Sequence, residues 1–173
     1  DQRRDLGQQC SDLRAHVDNL LNIYGAMLNR AIEARPPGMT ISIHVCRGNF
    51  RSAFVATGGY EPVAEVLFNQ INADAYFMEY DTERAGGFEP LRFVPKGKTV
   101  VLGLVTTKSG ELEAQDTLLR RIEEASKYVA LEDLALSPQC GFASTAAGNL
   151  LTEDEQWRKL ELVVQTARKV WDV

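Results

Sequence analysis

Residues 39–49 read MTISIHVCRGN, and this stretch decides how the rest of the chain is interpreted. Its first seven residues are mostly apolar or β-branched and lie between a Pro-Pro-Gly turn and an Arg-Gly-Asn turn, a pattern that predicts a buried strand over 39–45. His44 and Cys46 are two residues apart, so the period of two along a strand predicts that both side chains lie on one face. The end of this strand therefore combines an imidazole and a thiol.

Three further strands follow the same pattern. Apolar stretches predict strands over 75–80, 99–105 and 134–137, each separated from the next by a segment long enough for a helix. This β-α-β-α alternation favours a parallel sheet covered on both faces, as in a doubly wound sheet or a (β/α)8 TIM barrel. A complete barrel typically needs about 250 residues. The sequence therefore predicts about four βα units preceded by a long helix, which would be roughly half of a barrel if the chain adopts the barrel architecture.

Apolar residues three and four apart predict amphipathic helices between and around these strands. The first helix is predicted over 5–34, a second from Glu61-Pro62, a third over 111–129, and a last one from a capping-box pattern at Thr152. The spacing predicts that the first helix buries one face, formed by Leu13, Val17, Leu20, Leu21, Tyr24, Leu28 and Ile32.

Composition limits the classes of partner. The 173 residues, 45% of them hydrophobic, are enough for one domain spanning residues 1–173. Nineteen Lys and Arg residues against 24 Asp and Glu residues give a net charge of −5 with no basic stripe, which argues against a nucleic-acid partner. No apolar stretch approaches the roughly 20 residues of a membrane helix, and the polar first residues predict a cytoplasmic protein. Three cysteines are too few for a disulfide framework and favour thiol or metal chemistry.

In parallel architectures the site lies at the carboxyl ends of the strands. His44, Cys46, Glu79 and Cys140 come from three such ends, and imidazole, thiolate and carboxylate groups are all Zn²⁺ ligands, so the four could close a tetrahedron. The alternative is structural, because a buried Cys usually behaves as a small hydrophobe and a His at a strand end is often only hydrogen-bonded. Cys10 and His16, on the first helix, are expected to be bystanders.

Other polar residues at these ends have two interpretations each. Arg47 and Asn49 could hold an anionic group or form an ordinary turn. Asp81 and Arg84 could form a structural ion pair or orient a substrate. No segment matches a dinucleotide fingerprint or a P-loop, and neither His lies in a nucleophile-elbow context.

Four segments carry a resemblance to a known family: HVCRGN over 44–49, EYD over 79–81, LGLVTTK over 102–108 and SPQCGFAS over 137–144. With these motifs in order, the chain resembles the C-terminal catalytic domain of cobalamin-independent methionine synthase, and more closely the shorter, single-barrel members of that family. The resemblance implies the C-terminal half of a (β/α)8 barrel that binds one Zn²⁺ through His44, Cys46, Glu79 and Cys140. It also implies that zinc activates the thiol of homocysteine, which attacks the methyl group of methyltetrahydrofolate to form methionine.

The chain differs from the family pattern in three respects. Lys108 stands where the family has a His thought to assist proton transfer, and the segment between Cys46 and Glu79 is longer. The first half of the barrel is absent, including the Asp-Glu segment that holds the substrate amino group. We therefore expect a fragment that pairs with its missing half or with itself.

The resemblance yields a set of candidate roles and two alternatives. Lys108 and Asp81 are the candidate catalytic residues, and Arg47, Asn49 and Arg84 are the candidate substrate-binding residues. The first alternative is alkyl transfer to another thiol, such as coenzyme M. The second is a catalytically inert barrel fragment whose metal site is structural.

Overall fold

The computed structural model describes residues 2–172, with the backbone alone for residues 2–10, 13 and 54. The helices are α1 (Gln2–Glu33), α2 (Ala64–Asn69), α3 (Gln115–Ala125) and α4 (Glu153–Trp171). The strands are β1 (Ser42–Val45), β2 (Asn49–Phe50), β3 (Ala53–Phe54), β4 (Ala75–Glu79), β5 (Thr99–Val105) and β6 (Leu134–Pro138). Single 3-10 turns cover Glu83–Ala85, Glu89–Phe93 and Leu131–Asp133.

The core of the chain is a four-stranded sheet in the order β1-β4-β5-β6, with every neighbouring pair parallel. β5 is central, and its sequence TVVLGLV is buried from its second residue onward because both faces of the strand are covered. α2, α3 and α4 supply the covering side chains, including the buried Phe68, Leu118 and Ile122. The predicted mixed α/β fold with a parallel sheet is confirmed.

The connection between β4 and β5 is not the helix that its length allows. It consists of the 3-10 turns Glu83–Ala85 and Glu89–Phe93. Gly86 lies at a φ of 71° directly after the first turn, and Pro90 and Pro95 lack the N–H groups that a continuous helix needs. A short antiparallel hairpin of β2 and β3 follows β1 and was not predicted from the sequence.

The apolar stripe of α1 is not the buried face that its spacing predicts. Ile32 is buried, whereas Val17, Tyr24 and Leu28 are between 40% and 59% exposed. A 32-residue helix is about 48 Å long, whereas a four-residue strand spans only about 13 Å, so the sheet edge formed by β1 is too short to cover the whole stripe. Tyr24 and Leu28 instead line an open groove between α1 and β1. The side chain of Leu13, also assigned to this face, lies outside the described residues.

The α4 helix begins as predicted. Thr152 accepts a hydrogen bond from the backbone N–H of Glu155, and the Glu155 side chain accepts one from the backbone of Thr152, which completes the capping box. Within the described part of the chain, no helix combines the length and the apolar character that a bilayer crossing requires.

Two close approaches fix the sheet at its centre. Gly103 in β5 pairs with Glu79 on one side and Ser137 on the other. A Cβ atom at Gly103 would lie 2.8 Å from the carbonyl oxygen of Met78 and 2.9 Å from the Cα of Gln139. Both obstacles are backbone atoms, so the neighbouring strands would have to separate.

We expect Gly103→Ala to lower the free energy of unfolding by about 1–3 kcal/mol, the range for overpacking a core. The change in the free energy of unfolding is measured by urea denaturation followed by circular dichroism. Gly25→Ala in α1 is the matched control, because its Cβ would meet Ile71 and Val66 side chains at 3.8 and 3.9 Å, which is ordinary contact. Equal unfolding midpoints for the two variants would contradict the packing argument.

Asp74 joins the amino ends of three strands. Its carboxylate accepts hydrogen bonds from the backbone N–H of Ile41, at 2.9 Å, and from Arg35, and lies 3.8 Å from the Lys98 ammonium. The Ile41 N–H bond lowers the pKa of Asp74 most, and Arg35 and Lys98 lower it further against the opposing effect of burial. A depressed folded-state pKa adds stability above the unfolded-state pKa, and that stability disappears as the pH falls through the folded-state value.

We therefore expect Asp74→Asn to cost roughly 1 kcal/mol at pH 7 and much less at pH 3. Asp18→Asn, at an exposed position of α1, controls for the loss of one negative charge. Urea denaturation at both pH values provides the measurement. An equal loss of stability at pH 3 and at pH 7 would show that the ionised form of Asp74 does not stabilise the fold.

Candidate metal centre

The four candidate ligands meet at the carboxyl edge of the sheet. His44 belongs to β1, Cys46 follows it, Glu79 ends β4, and Cys140 lies two residues beyond β6. One ligand atom from each lies within 4.8 Å of the others. Glu79 is fully buried and Cys140 half-buried, whereas His44 and Cys46 are exposed.

These residues fit a zinc ion. One nitrogen, two sulfurs and one carboxylate oxygen form a donor set that Zn²⁺ accepts. Tetrahedral bonds of about 2.0–2.3 Å place ligand atoms roughly 3.3–3.8 Å apart. The Nε2 atom of His44 is already 3.7 Å from Oε1 of Glu79. With ligand atoms up to 4.8 Å apart, the four-residue cluster would therefore need to contract by about 1–1.5 Å at most.

The buried Glu79 carboxylate is ionised because donors surround it. The backbone N–H of Arg47 donates to Oε2 at 3.0 Å, and the side-chain amide of Gln139 donates to Oε1. Burial raises the pKa of Glu79, but the nearby His44 side chain, the hydrogen bond from Arg47, the Cys46 thiol and the Gln139 amide together lower it to about 2.

The pKa of the Cys46 thiol is shifted in the opposite direction, upward. Partial desolvation of this otherwise exposed residue, together with the nearby Glu79 carboxylate and Cys140, raises its pKa to about 11. The backbone N–H of Gly48, 3.2 Å from the sulfur, partly opposes this shift. A divalent cation reverses such a shift, since a coordinated thiol is deprotonated.

Tyr60 and Arg47 brace the ends of β1 and β4. The Tyr60 hydroxyl accepts a hydrogen bond from the backbone N–H of Glu79 at 2.7 Å and lies 3.1 Å from the carbonyl oxygen of Val45. The Arg47 guanidinium stacks over the Tyr60 ring at 4.1 Å and donates to the carbonyl oxygens of Gly58 and Glu79. The guanidinium of Arg47 thus fixes the loop that follows β1.

The other candidate substrate-binding residues lie beside this brace. Arg84 is 3.7 Å from Glu79 and 3.6 Å from Asp81, so the predicted Asp81–Arg84 ion pair is present. Both carboxylate oxygens of Asp81 and both amide atoms of Asn49 are buried without a hydrogen-bond partner among the described residues. Buried polar atoms in this condition usually serve a ligand, an ion or a water molecule.

Lys108 is connected to the candidate metal ligand Glu79 by hydrogen bonds through Gln139. The Lys108 ammonium donates to Oε1 of Gln139 at 2.6 Å, and the amide of Gln139 contacts Glu79. Burial lowers the pKa of Lys108, with a further contribution from Arg84, while Asp81 and Glu79 oppose it. The lowered pKa makes this ammonium a stronger acid than an exposed lysine.

An ion pair to α4 fixes the loop that carries Lys108. The fully buried Lys159 ammonium donates to the carbonyl oxygen of Glu111 at 2.5 Å and to the Glu113 carboxylate at 3.1 and 3.2 Å. Glu113 in turn accepts from the backbone N–H of Thr106 at 2.8 Å. Lys159 of α4 therefore holds the far end of the loop after β5 directly and its near end, at Thr106, through Glu113.

The hairpin and the loop after β6 meet over the same edge of the sheet. The backbone N–H of Arg51 donates to the Ser144 hydroxyl at 2.9 Å, and the N–H of Leu150 donates to the Ser52 hydroxyl at 3.0 Å. Asn149 donates to the carbonyl oxygen of Thr107 at 2.8 Å. These bonds connect the loops that follow β1, β5 and β6.

Four residues of this arrangement were not predicted from the sequence: Tyr60, Glu113, Gln139 and Lys159. Tyr60 and Lys159 carry no local signal, because nothing in their spacing separates them from surface residues. Gln139 had a usable signal, since it directly precedes the candidate ligand Cys140 at a strand end. His16 is exposed on α1, and the Cys10 side chain lies outside the described part of the chain.

The chain is similar in sequence to a known protein family and to two bacterial proteins. Residues 26–169 match the family described as the cobalamin-independent synthase catalytic domain. The uncharacterized proteins YxjG and YxjH of Bacillus subtilis (strain 168) are 54% and 52% identical to it over 155 residues. Each match covers 89% of this chain but 41% of the relative, so the chain spans about two-fifths of the length of these proteins.

Solved structures give the same result. A protein named as a candidate vitamin-B12-independent methionine synthase from Listeria monocytogenes superposes with a TM-score of 0.70 at 44% identity, over 88% of this chain and 41% of that one. A B12-independent methionine synthase from Shewanella sp. W3-18-1, in complex with selenomethionine, superposes with a TM-score of 0.69 over 86% of this chain and 42% of that one. At 22% identity the second likeness supports the fold alone.

The chain's two histidines offer a matched test of the cluster. We expect His44→Gln to weaken Zn²⁺ binding by more than about 100-fold, since even the outer partners of a ligand account for 10–100-fold. His16→Gln, on the exposed face of α1, is expected to bind zinc as the unmodified chain does. Chelator competition with zinc analysis measures both, and equal affinities would exclude His44 from the metal site.

Proposed function

The chain belongs to the cobalamin-independent synthase catalytic-domain family, and from this premise we propose that it carries the zinc-binding part of a thiol methyltransferase. The proposed reaction transfers the methyl group of methyltetrahydrofolate to homocysteine and forms methionine. The observation that carries the proposal is the clustering of His44, Cys46, Glu79 and Cys140 within 4.8 Å at the carboxyl edge of the sheet.

These four residues would hold the metal ion. When bound, Zn²⁺ supplies a Lewis acid that keeps a substrate thiol deprotonated at neutral pH. The exposed side chains of His44 and Cys46 leave one flank of the cluster open to a small thiol, which favours a catalytic site over a closed structural one. A cavity of about 270 Å³ adjoins this flank, with His44, Gln139 and Cys140 in its wall.

In the proposed reaction, a sulfur–carbon bond forms to the methyl group as its bond to the folate nitrogen breaks. The proton lost by the thiol is balanced by the proton that the folate nitrogen gains. Lys108 is the proposed proton donor, because burial lowers the pKa of its ammonium. Asp81, whose negative charge opposes that shift, is proposed to steady the charged form of Lys108.

Arg47, Asn49 and Arg84 are the proposed substrate-binding residues. The buried Asn49 amide has a donor and an acceptor that make no hydrogen bond among the described residues, so both remain to be satisfied by a polar group of a substrate or by a water molecule. Arg47 and Arg84 flank Glu79 at 3.6 and 3.7 Å and keep this part of the site electrically balanced.

We further propose that residues 1–173 form one domain, the C-terminal half of a (β/α)8 barrel. Four parallel strands with their site at the carboxyl edge support this interpretation. β1 and β6 each have one neighbour among the described strands, so their outer edges can pair with the other half or with a second copy. The cytoplasm is the proposed location, because it keeps thiols reduced.

Zinc X-ray absorption on the Zn²⁺-loaded chain tests the thiol step. We expect homocysteine to add one sulfur neighbour to the two supplied by Cys46 and Cys140. Homoserine, which carries a hydroxyl in place of the thiol, should leave the spectrum unchanged. Methionine formed after addition of methyltetrahydrofolate is then measured by mass spectrometry, with Cys140→Ser as the inactive control.

The outcomes separate the candidate functions. A sulfur signal from coenzyme M but not from homocysteine would favour alkyl transfer to that thiol. A zinc spectrum that no thiol alters would indicate a closed structural site and would overturn the proposed function.

A further inference from the structure

Gln139 lies between the two groups that the proposed chemistry depends on. Its side chain is 1% exposed, and it directly follows the end of β6. The pairing of β5 with β6 slips by one residue between Gly103 and Val105, so Val105 pairs with Pro138. The backbone N–H of Gln139 then bonds to the carbonyl oxygen of Val105 at 2.7 Å. Irregularities of this kind re-aim side chains at the ends of strands.

The chemistry of the neighbours fixes the orientation of the Gln139 amide. Its oxygen accepts from the Lys108 ammonium at 2.6 Å and from the Thr107 hydroxyl at 3.1 Å, and its nitrogen donates to Glu79. An ammonium can only donate and a carboxylate can only accept. If the amide were reversed, its NH₂ group would face the Lys108 ammonium and its oxygen would face the Glu79 carboxylate, and neither pair could form a hydrogen bond.

The amide also selects one oxygen of Glu79. Oε2 accepts from the backbone N–H of Arg47 at 3.0 Å and faces the guanidinium groups of Arg47 and Arg84. Oε1 faces His44, at 3.7 Å from Nε2, and is the oxygen that Gln139 contacts. Gln139 thus binds the oxygen that lies toward the other candidate ligands.

We propose that Gln139 is a positioning residue of the metal site, whose amide sets the orientation of Glu79 and couples it to Lys108. This inference rests on the proposed function, because it assumes that Glu79 is a metal ligand. Hydrogen bonds to a ligating carboxylate orient it, and their loss typically reduces metal affinity by about 10–100-fold. The effect is local to the site and does not require loss of the fold.

The test uses the metal alone. Gln139→Met keeps the length of the side chain but removes both ends of the amide. We expect it to weaken Zn²⁺ affinity by about 10–100-fold in chelator competition and to shift the visible absorption bands of the Co²⁺-loaded chain. Thr166→Val is the matched control, since it removes a different buried hydrogen bond, from the Thr166 hydroxyl to the carbonyl oxygen of Leu162 within α4, and leaves Gln139 and its partners unchanged. Its affinity and spectrum should match those of the unmodified chain.

A second variant guards against misfolding. Gln139→Asn keeps a buried amide but is one methylene too short to reach both partners, so it should also lose affinity. If the folded Gln139 variants bind Zn²⁺ within twofold of the unmodified chain and keep its Co²⁺ spectrum, the role of Gln139 is overturned and the proposed function stands. If the unmodified chain binds neither Zn²⁺ nor Co²⁺, the proposed function and the role of Gln139 are both overturned.

Discussion

The site depends on keeping one carboxylate ionised inside the protein. Glu79 is fully buried at the end of β4, and an unpaired charge there would cost several kcal/mol. Its hydrogen-bond donors come from the loop after β1 and from the residue after β6, and the His44 imidazole on β1 lies 3.7 Å from it. The requirement to satisfy this carboxylate therefore brings together the same strand ends that carry the thiols and the imidazole.

A second layer of contacts holds those donors in place. Tyr60 links the ends of β1 and β4, and Lys159 fixes the loop of Lys108 through Glu113. Lys159 is fully buried on α4, far from the metal ligands in sequence, yet its ion pair leads to Thr106, to Lys108 and then to Gln139. A continuous series of polar contacts thus connects α4, which packs on the sheet, to the metal site.

The features that could be predicted from the sequence are those set by residues close together along the chain. β5 has the predicted bounds, because seven consecutive residues carry the signal, and the capping box at Thr152 needs only four. The candidate ligands were predicted from strand ends and from the family resemblance. The bond between Gln139 and Glu79 joins residues 60 apart, and that between Lys159 and Glu113 joins residues 46 apart. Such contacts depend on the bulge in β5 and on helix packing, which no local pattern encodes.

The two sides of the cluster differ in how firmly they are held. Glu79 is surrounded by fixed donors and ends a strand with neighbours on both sides. His44 and Cys46 lie on β1 or just after it, at an edge of the described sheet, beside an apolar groove whose other wall is α1. The exposed apolar face of α1 adjoins this same side. Contraction around a metal ion would therefore be easiest for His44 and Cys46, and whatever covers the edge of β1 would control how far they move.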